Sequence, residues 1–144
     1  DTMAATRTKT IIQAPIEKAF AYVSDPENIP EWLVNLSAIM DVTGIGVGQH
    51  YRWTYNMLGL PFEGETTVKE HVPNERLVTE STGGIPSTFT MVFEAVDGGT
   101  KLDVETTYSI PVPVLGKLAE KVVAKRMQRE AELSALNIKE RLEL

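Results

Sequence analysis

The stretch Ser24-Asp25-Pro26-Glu27-Asn28-Ile29-Pro30-Glu31-Trp32, SDPENIPEW, decides how this chain is read. Pro26 disfavours helical geometry at Asp25, so a helix arriving from the N-terminal side has to stop near Ser24. Asp25 is also a good N-cap. Pro26 fits the first turn of a new helix, and Glu27 lies near its positive end. Pro30 keeps that second helix short. The nine residues therefore read as a helix–kink–helix corner with Trp32 at its exit.

Upstream of the corner, Ile16, Ala19, Phe20 and Val23 recur at i, i+3, i+4 and i+7, one apolar stripe of a helix that opens at Pro15. Before it, Ala5 to Gln13 is β-branched without a helical period and reads as a first strand. Residues 1–4 are expected to be irregular, or an appended remnant.

Downstream, the period becomes two. Strands are expected over 37–43, 49–57, 62–72, 76–82, 87–96 and 101–110, separated by glycine, proline and Asp97-Gly98-Gly99 turn signals. The spacing of Gly44-Ile45-Gly46-Val47-Gly48 superficially suggests a phosphate loop. It lacks GxGxxG, the P-loop lysine and a following helix, so a hairpin with flexible or bulged glycines is the better reading. From about Leu115 to Leu142 the period is helical again. Ala119, Val123, Met127, Ala131, Ser134, Ile138 and Leu142 form one stripe, which Leu118, Val122 and Ala135 widen.

The expected fold is α+β: a curved antiparallel seven-stranded sheet gripping a long C-terminal helix, with two short helices between strands 1 and 2. A helix of roughly 40 Å is long enough to lie across such a sheet and cover its apolar face. The 144 residues are expected to form one domain.

Composition narrows the function. A net charge of −6 argues against general nucleic-acid binding. The absence of cysteine removes disulfides, thiolate metal sites and a cysteine nucleophile. His50 and His71 stand too far apart for metal-ligand spacing. No metal or cofactor is expected, and no apolar run approaches the ~20 residues of a membrane span. No leader peptide is read at the start, and the expected location is the cytoplasm. No protein partner is indicated.

The order and spacing of these segments resemble the START-like, or Bet v 1-like (SRPBCC), helix-grip superfamily, and within it the small bacterial polyketide cyclase/dehydrase and lipid-transport-like group. The resemblance spans Thr8 to Leu142. It is carried by Ala14-Pro15-Ile16-Glu17-Lys18-Ala19-Phe20, by Asp25 to Trp32, by Gly46-Val47-Gly48 before an aromatic strand, by Val68 to Pro73 and by Asp97-Gly98-Gly99-Thr100. It implies an internal hydrophobic pocket between sheet and long helix. It supplies no shared catalytic motif, because one fold carries many functions.

With the apolar face of each strand turned inward, the expected ligand-binding residues are Tyr51, Trp53, Tyr55, Phe62, Thr66, Ser81, Phe89, Met91, Thr106 and Tyr108. Leu118, Val122 and Met127 join them from the long helix, and Trp32 from the corner, where it either plugs the core or lines the pocket mouth. Such a lining suits an apolar ligand with a few polar atoms, such as a lipid, isoprenoid, quinone or polyketide. Binding or carriage is the leading expectation. The alternative is a cyclase or dehydratase acting on an aromatic or polyketone precursor, with Glu70, Tyr108 and Arg126 as candidate catalytic groups. Glu70 is in phase with Thr66 and Val68 and would point inward, unless a strand bulge reverses the faces and turns His71 in instead.

Overall fold

The computed structural model describes residues 2–110 and 117–144. The element order is β1 (Thr2–Ile12), α1 (Ile16–Ser24), a 3-10 turn (Pro26–Asn28), α2 (Ile29–Trp32), β2 (Leu36–Thr43), β3 (His50–Met57), β4 (Leu60–Val72), β5 (Arg76–Gly83), β6 (Ser87–Val96), β7 (Gly99–Ile110) and α3 (Lys117–Leu142). The strands form one antiparallel sheet in the order β1-β7-β6-β5-β4-β3-β2. Strands 2 to 7 follow one another as hairpin neighbours. Only β1 is displaced in space, pairing with β7, so β1 and β2 are the edges. The corner α1–α2 connects those two edges. β1 begins earlier than the sequence suggests: Thr2 already opposes Ile110.

The corner forms as its residues dictate. The Asp25 side chain accepts a hydrogen bond from the Glu27 backbone N–H at 3.0 Å, the interaction that makes aspartate a good cap. Leu33 N–H closes the α2 turn on the Ile29 carbonyl at 2.8 Å. Pro15 is the N-cap of α1 rather than its first residue. Phe20 of α1 docks edge-on against Phe93, with ring centroids 5.1 Å apart, and against His71 at 5.2 Å.

The helix α3 lies against the sheet and is stitched to both sides of it. Along the free edge of β1, Gln128 bonds the Arg7 N–H and carbonyl, Lys139 donates to the Ile11 carbonyl, and Glu143 accepts from the Gln13 N–H. Side chains thus occupy backbone groups that would otherwise invite another strand. On the other side, Ser134 Oγ accepts from the Val34 N–H at 3.0 Å, and Asn137 donates to the Trp32 carbonyl at 3.2 Å. Val123, Ser134, Ala135, Ile138 and Leu142 are buried, and Met127 and Ala131 are partly so, following the expected stripe.

One glycine is required by close approach. Gly64 opposes Trp53 in the β3–β4 ladder, and a Cβ at that position would run into the indole ring and meet the Thr82 carbonyl oxygen at 2.5 Å. The missing side chain lets the Trp53 ring lie flat over β4. The glycines at 44, 46 and 48 take positive φ and turn the chain from β2 into β3, as a hairpin reading requires.

Candidate functional site

Between the concave face of the sheet, the corner and α3 lies a cavity of about 140 Å³. All strands of the sheet, both ends of the corner and α3 contribute to its walls. The sheet supplies Tyr51, Trp53, Tyr55, Thr66, Ser81, Phe89, Met91, Thr106 and Tyr108. The corner supplies Trp32, and α3 supplies Met127, Glu130, Ala131 and Ser134. Eleven residues expected to bind ligand therefore stand around one space: Trp32, Tyr51, Trp53, Tyr55, Thr66, Ser81, Phe89, Met91, Thr106, Tyr108 and Met127.

The other expectations fall elsewhere. Val122 is half exposed on the outer face of α3. It precedes the buried Val123, and one helical step rotates a side chain by about 100°. Phe62 shares the inward face of β4 but lies beyond the end of the cavity, with its side chain against Gly84. The side chain of Leu118 lies outside the described residues. Glu70 is exposed and paired with Arg76 at 3.0 Å. The ladder between β4 and β5 slips between Val68 and Glu70, and that bulge turns Glu70 out and brings His71 onto Phe20. Arg126 is exposed and does not reach the cavity.

Two polar clusters interrupt the apolar wall. In the first, Trp53 Nε1 donates to Thr66 Oγ1 at 2.9 Å, and Thr66 Oγ1 is 2.6 Å from Ser81 Oγ. The pKa of the nearby Tyr51 hydroxyl is pushed up to about 12 by burial, with the Thr66 side chain pulling it partly back. In the second cluster, Tyr55 Oη donates to the Glu130 carboxylate, 2.9 Å and 3.0 Å from its two oxygens. Asn35 Nδ2 donates to the same carboxylate. Burial raises the Glu130 carboxyl above its ordinary value, against the opposing effect of the Asn35 and Tyr55 hydrogen bonds and the Arg126 charge. Tyr55 is raised by burial and then by the Glu130 charge, and Tyr108 is raised in the same two ways. The carboxylate and both phenols thus share one low-dielectric neighbourhood.

Glu130 is the residue the sequence reading missed. It follows Met127 by three positions and precedes Ser134 by four, so the helical period places it on the cavity face. A glutamate in phase with an apolar stripe was the available signal. Among the described residues, no three carboxylate or imidazole side chains converge as a metal ion would require, and no helix is long and apolar enough to cross a membrane.

The sequence profile described as polyketide cyclase / dehydrase and lipid transport matches residues 3–143. Among curated proteins, nothing matches. Several solved structures do. TTHA0849 from Thermus thermophilus is 25% identical, with a TM-score of 0.85 over 96% of this chain and 97% of that one. The Zhui aromatase/cyclase from a Streptomyces species has a TM-score of 0.81 at 11% identity, over 99% of this chain and 94% of that one. Ara h 8.0201 has a TM-score of 0.70 at 19% identity, over 98% of both chains. At such identities the last two speak for the shared fold alone.

Proposed function

Because the chain belongs to the polyketide cyclase/dehydrase and lipid transport family, we propose that it binds a small hydrophobic molecule between the sheet and α3. The observation that carries this reading is the cavity itself: about 140 Å³ of space walled by aromatic and aliphatic side chains with a few hydroxyls. An apolar cavity of about 150 Å³ holds a molecule the size of benzene. A single ring fits the cavity as it stands, and a two- or three-ring molecule enters as the walls move apart. Two of the lining residues, Tyr51 and Trp53, are buried aromatic side chains, a composition that suits a ligand wall.

The test is a fluorescence titration with N-phenyl-1-naphthylamine, a neutral apolar probe. Saturable one-to-one binding is expected, and Ala131→Phe, which fills the cavity from α3, should abolish it while the protein stays folded. Arg52→Ala, on the outer face of β3, should leave it unchanged. Binding that survives Ala131→Phe would overturn the reading.

A second reading, a cyclase or dehydratase, is favoured by the Glu130–Tyr55 pair inside the cavity. The Glu130 carboxylate would remove a proton from a methylene between two carbonyls. The carbanion would add to a second carbonyl of the same chain, and that carbon–carbon bond closes the ring; the carbonyl oxygen takes up the proton that Glu130 holds, and loss of water then introduces a double bond. Holding a reactive polyketone in a folded conformation supplies much of such a rate. If this reading is right, Glu130→Gln abolishes consumption of a linear polyketone thioester while probe binding persists. Unchanged consumption would remove Glu130 as the base.

A further inference from the structure

Two polar atoms in the cavity wall have no hydrogen-bond partner among the described residues. Among the described residues, the buried side-chain atoms without a hydrogen bond are Trp32 Nε1 and the Tyr108 hydroxyl. Both residues line the cavity, and they are only 4% and 2% exposed. Buried donors are rarely left unsatisfied, because the lost hydration is not recovered. An indole N–H can only donate, and a phenol hydroxyl donates readily. Two idle donors in a wall whose other polar clusters are internally bonded mark where a ligand's acceptor belongs.

The cavity wall also carries an acceptor of negative character. The Glu130 carboxylate already receives the Tyr55 hydroxyl and the Asn35 amide, and it bears on Tyr108 through its charge. Among the described residues, no Lys or Arg side chain lines the cavity to offset a second anion.

We propose that the ligand is an uncharged molecule bearing hydrogen-bond-accepting oxygen, received by Trp32, by Tyr108 or by each at a separate oxygen, and that Glu130 makes the cavity reject carboxylates of the same shape. The inference rests on the reading of the cavity as a binding site. It divides the apolar ligands that could fit by their head group. Ketones, quinones and esters are admitted, and free acids are not. Like charges sharing a desolvated site repel strongly, whereas a carbonyl accepts a hydrogen bond from such a donor without adding charge.

The experiment compares three naphthalenes of nearly equal size on the intact protein: 2-acetylnaphthalene, 2-ethylnaphthalene and 2-naphthoate. Each is titrated against the bound N-phenyl-1-naphthylamine near neutral pH. The ketone should bind about tenfold more tightly than the hydrocarbon, and the naphthoate more weakly than either. Of Tyr108→Phe and Trp32→Phe, at least one should bring the ketone to within about threefold of the hydrocarbon measured on the same variant. Glu130→Gln should bring the naphthoate to within about threefold of the hydrocarbon. Hydrocarbon binding without a preference for the ketone, or naphthoate binding as tightly as the ketone, would overturn this inference and leave the cavity reading standing. If none of the three displaces the probe and the probe itself does not bind, the cavity reading fails and the inference with it.

Discussion

The Tyr55 hydroxyl lies 2.9 Å and 3.0 Å from the two carboxylate oxygens of Glu130, joining β3 to α3 across the cavity. The same hydroxyl lies 3.3 Å from the Met127 sulfur, so Tyr55 ties the sheet's inner face to the long helix that covers it. Removing the hydroxyl leaves a half-buried carboxylate with a single described protein donor, Asn35. Tyr55→Phe is expected to destabilise the protein by about 1.5–3 kcal/mol, the range for a hydrogen bond to a charged group. Urea denaturation would read this as a lower midpoint at unchanged slope.

Glu130 also makes stability depend on pH in a defined direction. Its native carboxyl is raised by burial, so the folded state holds the proton to higher pH than the unfolded chain does. Stability contributed by the neutral form is fully present below the ordinary carboxylate range. It is lost as pH rises from there through the raised native value. Glu130→Gln removes this dependence. The variant should therefore gain stability relative to the parent as pH rises through that window, as measured by thermal melts at a series of pH values. A constant difference would contradict the assignment.

Tyr108→Phe deletes a hydroxyl that has no hydrogen-bond partner among the described residues. Unlike most buried tyrosine-to-phenylalanine changes, it should not lower the melting temperature, and a small increase is expected because an unsatisfied buried group is removed. A clear decrease would mean that the hydroxyl has a partner in solution.

Gly64→Ala drives a methyl group into the Trp53 ring and to 2.5 Å from the Thr82 backbone oxygen. The ring can tilt, but the backbone of β5 cannot easily retreat. A loss of about 1–3 kcal/mol is expected, the scale of overpacking in a filled interior. Because Trp53 is a cavity wall, its fluorescence should shift as well.

Glu70→Gln should change little. The residue is exposed and its partner Arg76 is also on the surface, so the pair is worth less than ~1 kcal/mol. Ligand binding should be unaffected. An effect on binding would restore Glu70 to the site from which the β4–β5 bulge displaces it.

The fold was legible because each segment carries a single clear period. Strand alternation such as Tyr51, Trp53, Tyr55 and Met57 survives into the structure as buried positions along β3, and the prolines of the corner mark its two helices. What was hidden depends on local departures from regularity. A one-residue bulge after Val68 reversed the face of Glu70, and no residue near it announces a bulge. Val122 and Val123 are alike in character, and only the final rotation of α3 decides which is buried. Phe62 has the right phase, but the sheet ends the cavity before reaching it. Glu130 was overlooked because a charged residue on an amphipathic helix is ordinarily solvated. Its position between Met127 and Ser134 was the contrary signal.

The two tryptophans offer the most direct measurement of whether a ligand enters. Trp53 Nε1 is bonded to Thr66, whereas Trp32 Nε1 is unpartnered, so in a nitrogen–proton correlation spectrum their indole signals report separately on two parts of the cavity wall. Titration with 2-acetylnaphthalene should shift both signals in one saturable, one-to-one process. If both indole signals stay in place while outer-face amides such as those of Arg52 and Glu65 move, the molecule binds on the surface and the internal site is refuted.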